Sequence, residues 1–166
     1  QCLELINASA LDFIIGSCHI VDNMDPYYTD FWKNRQDRDA FELYFKTLLE
    51  GLLEFSQIDT LGHLDYVVRY SPNRDSNYSP RDYQDVIDEI LKFIIEKDIK
   101  LEINTSNLSK GFDFFNPHTD IIKRYKELGG KYVTLGSDAH KAEYIGYGFD
   151  KAYEIANYFD LKIFTL

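Results

Sequence analysis

Apolar strand patterns and amphipathic helix patterns take turns along this chain, and no hairpin signal joins one strand to the next. A helix between consecutive strands forces them to pair in parallel, so the alternation predicts a βα repeat around a parallel sheet. The strand candidates are Leu11-Asp12-Phe13-Ile14-Ile15, Ile58 to Leu61, Lys100-Leu101-Glu102-Ile103-Asn104-Thr105, Tyr132-Val133-Thr134-Leu135 and Leu161-Lys162-Ile163-Phe164. Phe41, Phe45, Leu48, Leu52 and Phe55 recur at helical spacing over 37–57, with Gly51 the weak point. Tyr83, Ile87, Ile90 and Ile94 do the same up to Lys97, after a Ser79-Pro80-Arg81-Asp82 start whose serine is placed to cap. Pro117 opens a further helix that Gly129-Gly130 closes, and another spans about 150–160. Residues 1–8 read as a helix, and Val21–Asn34, Tyr66–Tyr78 and Ser106–Asn116 as loops.

The 166 residues, 45% of them hydrophobic, suffice for one core and are read as a single domain, 1–166. Lys97, Asp98 and Lys100 break the most apolar stretch, which argues against a membrane span. A net charge of −10 disfavours a nucleic-acid backbone and suits a chain that collects divalent cations. Cys2 and Cys18 form no disulfide framework, so a reducing cytoplasm is expected.

The chemically informative residues lie just past strand ends, where parallel α/β folds carry their sites. Gly16-Ser17-Cys18-His19, Gly62-His63 and Gly136-Ser137-Asp138-Ala139-His140 each follow an apolar run. Small residues let a strand end come close to a site, and an acid two positions from a histidine shares its side of a strand. One such histidine is an ordinary core residue. Three, joined by Asp138, point to a shared metal site. His118 reads as a surface residue and Cys18 as buried filler, because neighbours on a strand face opposite ways and the thiol cannot share the site of His19. Glu102 and Asn104 share one face of their strand, either as satisfied polar groups or as supports of the site. Arg69, Arg74 and Lys110, on loops after strands, either meet a phosphate or form surface ion pairs.

The ordered strings Ile14-Ile15-Gly16-Ser17-Cys18-His19, Gly62-His63-Leu64-Asp65, Glu102-Ile103-Asn104-Thr105-Ser106 and Leu135-Gly136-Ser137-Asp138-Ala139-His140 resemble the polymerase-and-histidinol-phosphatase (PHP) superfamily, and within it the histidinol-phosphatase family. The resemblance implies a distorted seven-stranded β/α barrel with three divalent metals (Zn, Mn or Fe) at its C-terminal face. It makes His19 and His63 ligands of one metal, Asp138 a ligand of a second and His140 of the third. It also implies hydrolysis of L-histidinol phosphate to L-histidinol and phosphate by a metal-bound hydroxide, and casts Arg69 and Lys110 as phosphate contacts. The expected partner is a small phosphate ester, with no nucleic acid and no membrane, and with a homodimer left open.

The family's opening His-x-His strand and bridging glutamate have no counterpart, and Ser109 stands where a second basic residue is expected. Such a barrel takes about 250 residues, so the chain is expected to be the C-terminal two-thirds of one and to retain metal weakly. Three alternatives carry other expectations. One is a sister phosphoesterase acting on phosphotyrosine or a nucleotide. Another is a non-catalytic, degenerate barrel. The last is an exonuclease module, which the charge of −10 disfavours.

Overall fold

Five strands lie side by side in chain order in the computed structural model, and every neighbouring pair is parallel. They are β1 (Ile15–Gly16), β2 (Thr60–Leu61), β3 (Lys100–Asn104), β4 (Tyr132–Gly136) and β5 (Lys162–Ile163). The structure describes Ile6 and residues 9–165, so the helix expected over 1–8 lies outside the described residues but for Ile6. The helices are α1 (Thr29–Trp32), α2 (Asp37–Glu54), α3 (Gln84–Glu96), α4 (Ser106–Ser109), α5 (Thr119–Glu127) and α6 (Phe149–Tyr158). The expected α/β alternation and parallel sheet are what the chain forms.

The two faces of the sheet differ. Leu61, Leu101 and Val133 are in register across β2, β3 and β4, and all are buried. They meet the apolar stripes of α2 (Phe41, Phe45, Leu48, Leu52) and α3 (Ile87, Ile90, Leu91, Ile94) in one core. The opposite face carries Thr60, Glu102, Asn104, Thr134 and Gly136, and there Thr60 Oγ1 lies 2.7 Å from Thr134 Oγ1. Phe13, just before β1, stacks on Phe164, just after β5, with ring centroids 6.1 Å apart. Those two positions flank opposite edges of the sheet, so the sheet is curved.

Several local expectations need correction. β1 is two residues long and keeps only Ile15 of the apolar run, whose Leu11 and Ile15 stay exposed. Ser79 makes no side-chain cap; Pro80–Tyr83 forms a 3₁₀ turn that runs into α3 instead. All three expected loops contain a helical turn: α1, the 3₁₀ turn Tyr66–Tyr70, and α4.

Candidate metal centre

Glu102 organises the polar mouth of the sheet. Its Oε2 accepts hydrogen bonds from His63 N at 2.7 Å and from Asn104 Nδ2 at 3.1 Å. Burial raises the carboxyl pKa, opposed by those two donors. A Cβ on Gly136 would run into Glu102 Oε1, and one on Gly62 would meet Ser17 Oγ at 2.7 Å. Gly136 thus leaves room for the buried Glu102 carboxylate, and Gly62 for the Ser17 hydroxyl. His63 and Asp138 have φ of +24° and +46°, values that L side chains seldom adopt, and Glu102 grips the backbone at the first of these bends.

The bend at His63 aims its ring at His19, and the two Nε2 atoms lie 3.2 Å apart. Each ring also rests against Tyr66, at 4.7 Å for His19 and 5.0 Å for His63. His63 is buried while His19 is exposed. Burial, then repulsion from Arg69 and His19, pulls the His63 pKa down to about 4, so the ring is neutral at pH 7 with a free lone pair. Two nitrogens bound about 2.0–2.1 Å from a tetrahedral zinc stand about 3.3 Å apart, which the observed spacing matches. The pair therefore fits two corners of one ion. The other ring nitrogen, His63 Nδ1, is buried with no hydrogen-bond partner among the described residues.

A second pair forms where β4 ends. Asp138 Oδ1 lies 3.5 Å from His140 Nε2, and Asp138 Oδ2 accepts from Arg69 Nη1 at 3.0 Å. Burial would raise the Asp138 pKa, but the hydrogen bond and charge of Arg69, with His63 and Lys110 beyond, hold it below the usual carboxylate value. Arg69 itself is 2% exposed and points inward from its 3₁₀ turn. Its Nε donates to Asn107 Oδ1 at 2.9 Å, and its Nη2 to Ser106 Oγ and Asn116 Oδ1. Among the described residues no three His, Cys, Asp or Glu side chains gather closely enough to hold an ion. The candidate ligands His19, His63, Asp138 and His140 stand as two pairs.

The family profile of the PHP domain matches residues 2–106, more than half of the chain. The chain belongs to the PHP domain family. It is 40% identical over 151 residues to a probable histidinol-phosphatase of Clostridium acetobutylicum, an alignment covering 91% of this chain and 59% of that protein. It is 32% identical over 143 residues to the histidinol-phosphatase of Lactococcus lactis, covering 84% and 52%. In three dimensions it is similar to the crystal structure of the Lactococcus lactis histidinol phosphate phosphatase complexed with zinc, L-histidinol and phosphate. The TM-score is 0.84 at 28% identity, over 97% of this chain and 61% of that one. The PHP chain thus spans between 52% and 61% of the proteins it matches.

Other residues singled out in the sequence of this PHP domain are placed as follows. Asn104 lies beside Glu102 on the polar face of the sheet, its Oδ1 accepting from Ser106 Oγ at 2.6 Å. Lys110 is outside this cluster of direct contacts, yet burial and the charge of Arg69, opposed by Asp138, pull its pKa down to about 8. Cys18 is half-buried rather than buried, since β1 has little over it, and burial pushes its thiol up to about 11. His118 is half-buried and has a structural task. It caps α5, its Nδ1 accepting from Asp120 N at 3.2 Å, and its own N–H donates to Asp65 Oδ2 at 2.8 Å. Asn116 and Asp65 went unassigned in the sequence although both are wholly buried here. The Asn116 amide joins Arg69 to Asp65, donating through Nδ2 to Asp65 Oδ1. Its two partners lie 47 and 51 residues away, a separation that no local pattern carries.

Proposed function

We propose that this chain carries the metal-binding mouth of a phosphoric monoester hydrolase that converts L-histidinol phosphate and water to L-histidinol and phosphate. The observation that carries the reading is the His19–His63 pair, spaced for one divalent ion and locked by Glu102 at a strand end. The relatives named histidinol-phosphatase support it. In this reading residues 1–166 are one unit of a distorted seven-stranded β/α barrel, in keeping with the curvature that stacks Phe13 on Phe164. The protein works in the cytoplasm on a small phosphate ester.

His19 and His63 would hold one ion, and Asp138 and His140 would serve two others of the Zn, Mn or Fe type. Such ions, when bound, supply Lewis acidity toward phosphoryl oxygens and a water acidic enough to react near neutral pH. The chain's own groups supply the rest. Arg69 keeps Asp138 ionised and fixes its orientation while its own guanidinium stays sequestered, so its part is to hold Asp138 rather than to meet the phosphate. Glu102 holds the His63 backbone, and burial keeps that imidazole unprotonated. Cys18, with its thiol raised to about 11, is protonated at pH 7 and is no nucleophile.

The test is phosphate release from L-histidinol phosphate with Mn(II) or Zn(II) supplied. Turnover that His140→Ala and His63→Ala abolish is the expected result; a folded, metal-supplied chain that releases no phosphate overturns the reading for this chain. Because the ligands stand in pairs, dialysis is expected to strip the metal, and about three ions per chain surviving it would contradict the two-pair arrangement.

A further inference from the structure

The segment from Ser71 to Tyr78 is built to hold one side chain still. Asp37, buried at the start of α2, accepts through one oxygen from Asn73 Nδ2 at 2.9 Å and from Asn77 Nδ2 at 3.0 Å. The two amides flank Arg74, which sits at φ +55° with its N–H bonded to Ser71 O at 2.8 Å. From that tip the arginine crosses to the loop that follows α4. Its Nη2 lies 3.4 Å from Lys110 O and 3.3 Å from Gly111 O, and its guanidinium stacks 4.2 Å over the Phe112 ring. The other end of this loop is tied to the site. Asn107 O accepts from Lys110 N at 3.0 Å and Phe112 N at 3.1 Å, while Asn107 Oδ1 holds Arg69 Nε. Lys110 is therefore strung between the Arg69–Asp138 pair on one side and Arg74 on the other.

We propose that Arg74 is a positioning residue, a clasp across the loops after β2 and β3 that sets Lys110 to receive the phosphate group of the substrate. The proposal rests on the phosphate-ester reading above for the identity of that group. A flat guanidinium that lies over an aromatic ring while one of its nitrogens reaches two carbonyls is a task for arginine that lysine, with a compact ammonium, performs poorly. Ser109 leaves Lys110 the lone cation of the segment 106–116, so the clasp acts on the one charge that stretch offers.

Binding of inorganic phosphate is measured by calorimetry on the intact chain with Mn(II) present, alongside KM and kcat for L-histidinol phosphate. Arg74→Ala and Lys110→Ala are each expected to weaken phosphate binding about 5–10-fold and to raise KM more than they lower kcat. The double variant is expected to be no weaker than Lys110→Ala, since the arginine acts through the lysine. Arg74→Lys should behave like Arg74→Ala, and Phe112→Leu, which removes the ring face, should fall between Arg74→Ala and wild type. Additive losses in the double variant, wild-type binding by Arg74→Lys, or no phosphate binding by the wild type would each overturn the clasp. Phosphate binding that follows this pattern in a chain without turnover would leave the clasp standing and remove the histidinol-phosphatase reading.

Discussion

Arg69 and Arg124 each grip an aspartate, in opposite surroundings. Arg69 is buried at the mouth of the sheet, with one carboxylate and three neutral oxygens around it. Arg124 lies on the outer helical layer at 33% exposure. There its Nε and Nη2 meet both oxygens of Asp88 at 2.8 and 2.6 Å, and its Nη1 reaches Glu127 at 3.1 Å. The outer pair joins α3 to α5. The inner one has two tasks, because Asp138 must be fixed by Arg69 while its second oxygen faces His140. A buried charge with several partners specifies geometry at the expense of tolerance to change, whereas a surface pair is replaceable.

That contrast breaks most sharply at Arg69. Arg69→Met keeps the bulk but leaves Asp138, Ser106, Asn107 and Asn116 without their shared donor. Removing one partner of a buried ionic network costs about 3–5 kcal/mol. Urea unfolding followed by Trp32 fluorescence measures it, and a loss below about 1 kcal/mol would mean that solvent already serves these groups.

The unequal legibility of the two regions has the same physical root. The stripe of α3, the alternation that puts Glu102 beside Asn104, and the repeated Gly-His strand ends are local patterns, and each forms as its spacing predicts. The burial of Arg69 was not legible as such. Its surroundings, Tyr66-Val67-Val68-Arg69-Tyr70, are apolar, and that run was the available signal against a plain loop. Asn116 and Asp65 gave none, because their partners come from other βα units. Gly62 and Gly136 were read as letting the strand approach the site. The space at Gly136 is filled by Glu102, from the neighbouring strand, and that at Gly62 by Ser17 and Ile15.

Gly136 gives a test of intermediate size. Gly136→Ala places a methyl group against Glu102 Oε1, and overpacking of this kind costs about 1–3 kcal/mol. If the carboxylate is the cause, adding Glu102→Ala to Gly136→Ala should recover part of the loss despite deleting a second side chain. A cycle of the two changes by urea unfolding reads the coupling, and strict additivity would assign the glycine to backbone freedom instead.

Asp88 should give the smallest effect and the one most dependent on pH. Hydrogen bonding from Arg124, against the cost of burial and with its charge adding, lowers the Asp88 pKa in the folded chain. The unfolded chain then binds this proton more readily, so the pair's contribution is complete above the unfolded value of about 3.9 and fades as pH falls through the lower folded value. Asp88→Asn should cost about 1 kcal/mol at pH 7, because Arg124 is a third exposed and solvent screens the pair. The gap between wild type and variant should stay level from pH 7 down to about 5 and narrow below 4. A gap that widened in acid would place the ionised form of Asp88 at a disadvantage in the fold, and the outer pair would then not be the simple, replaceable ion pair that the contrast with Arg69 requires.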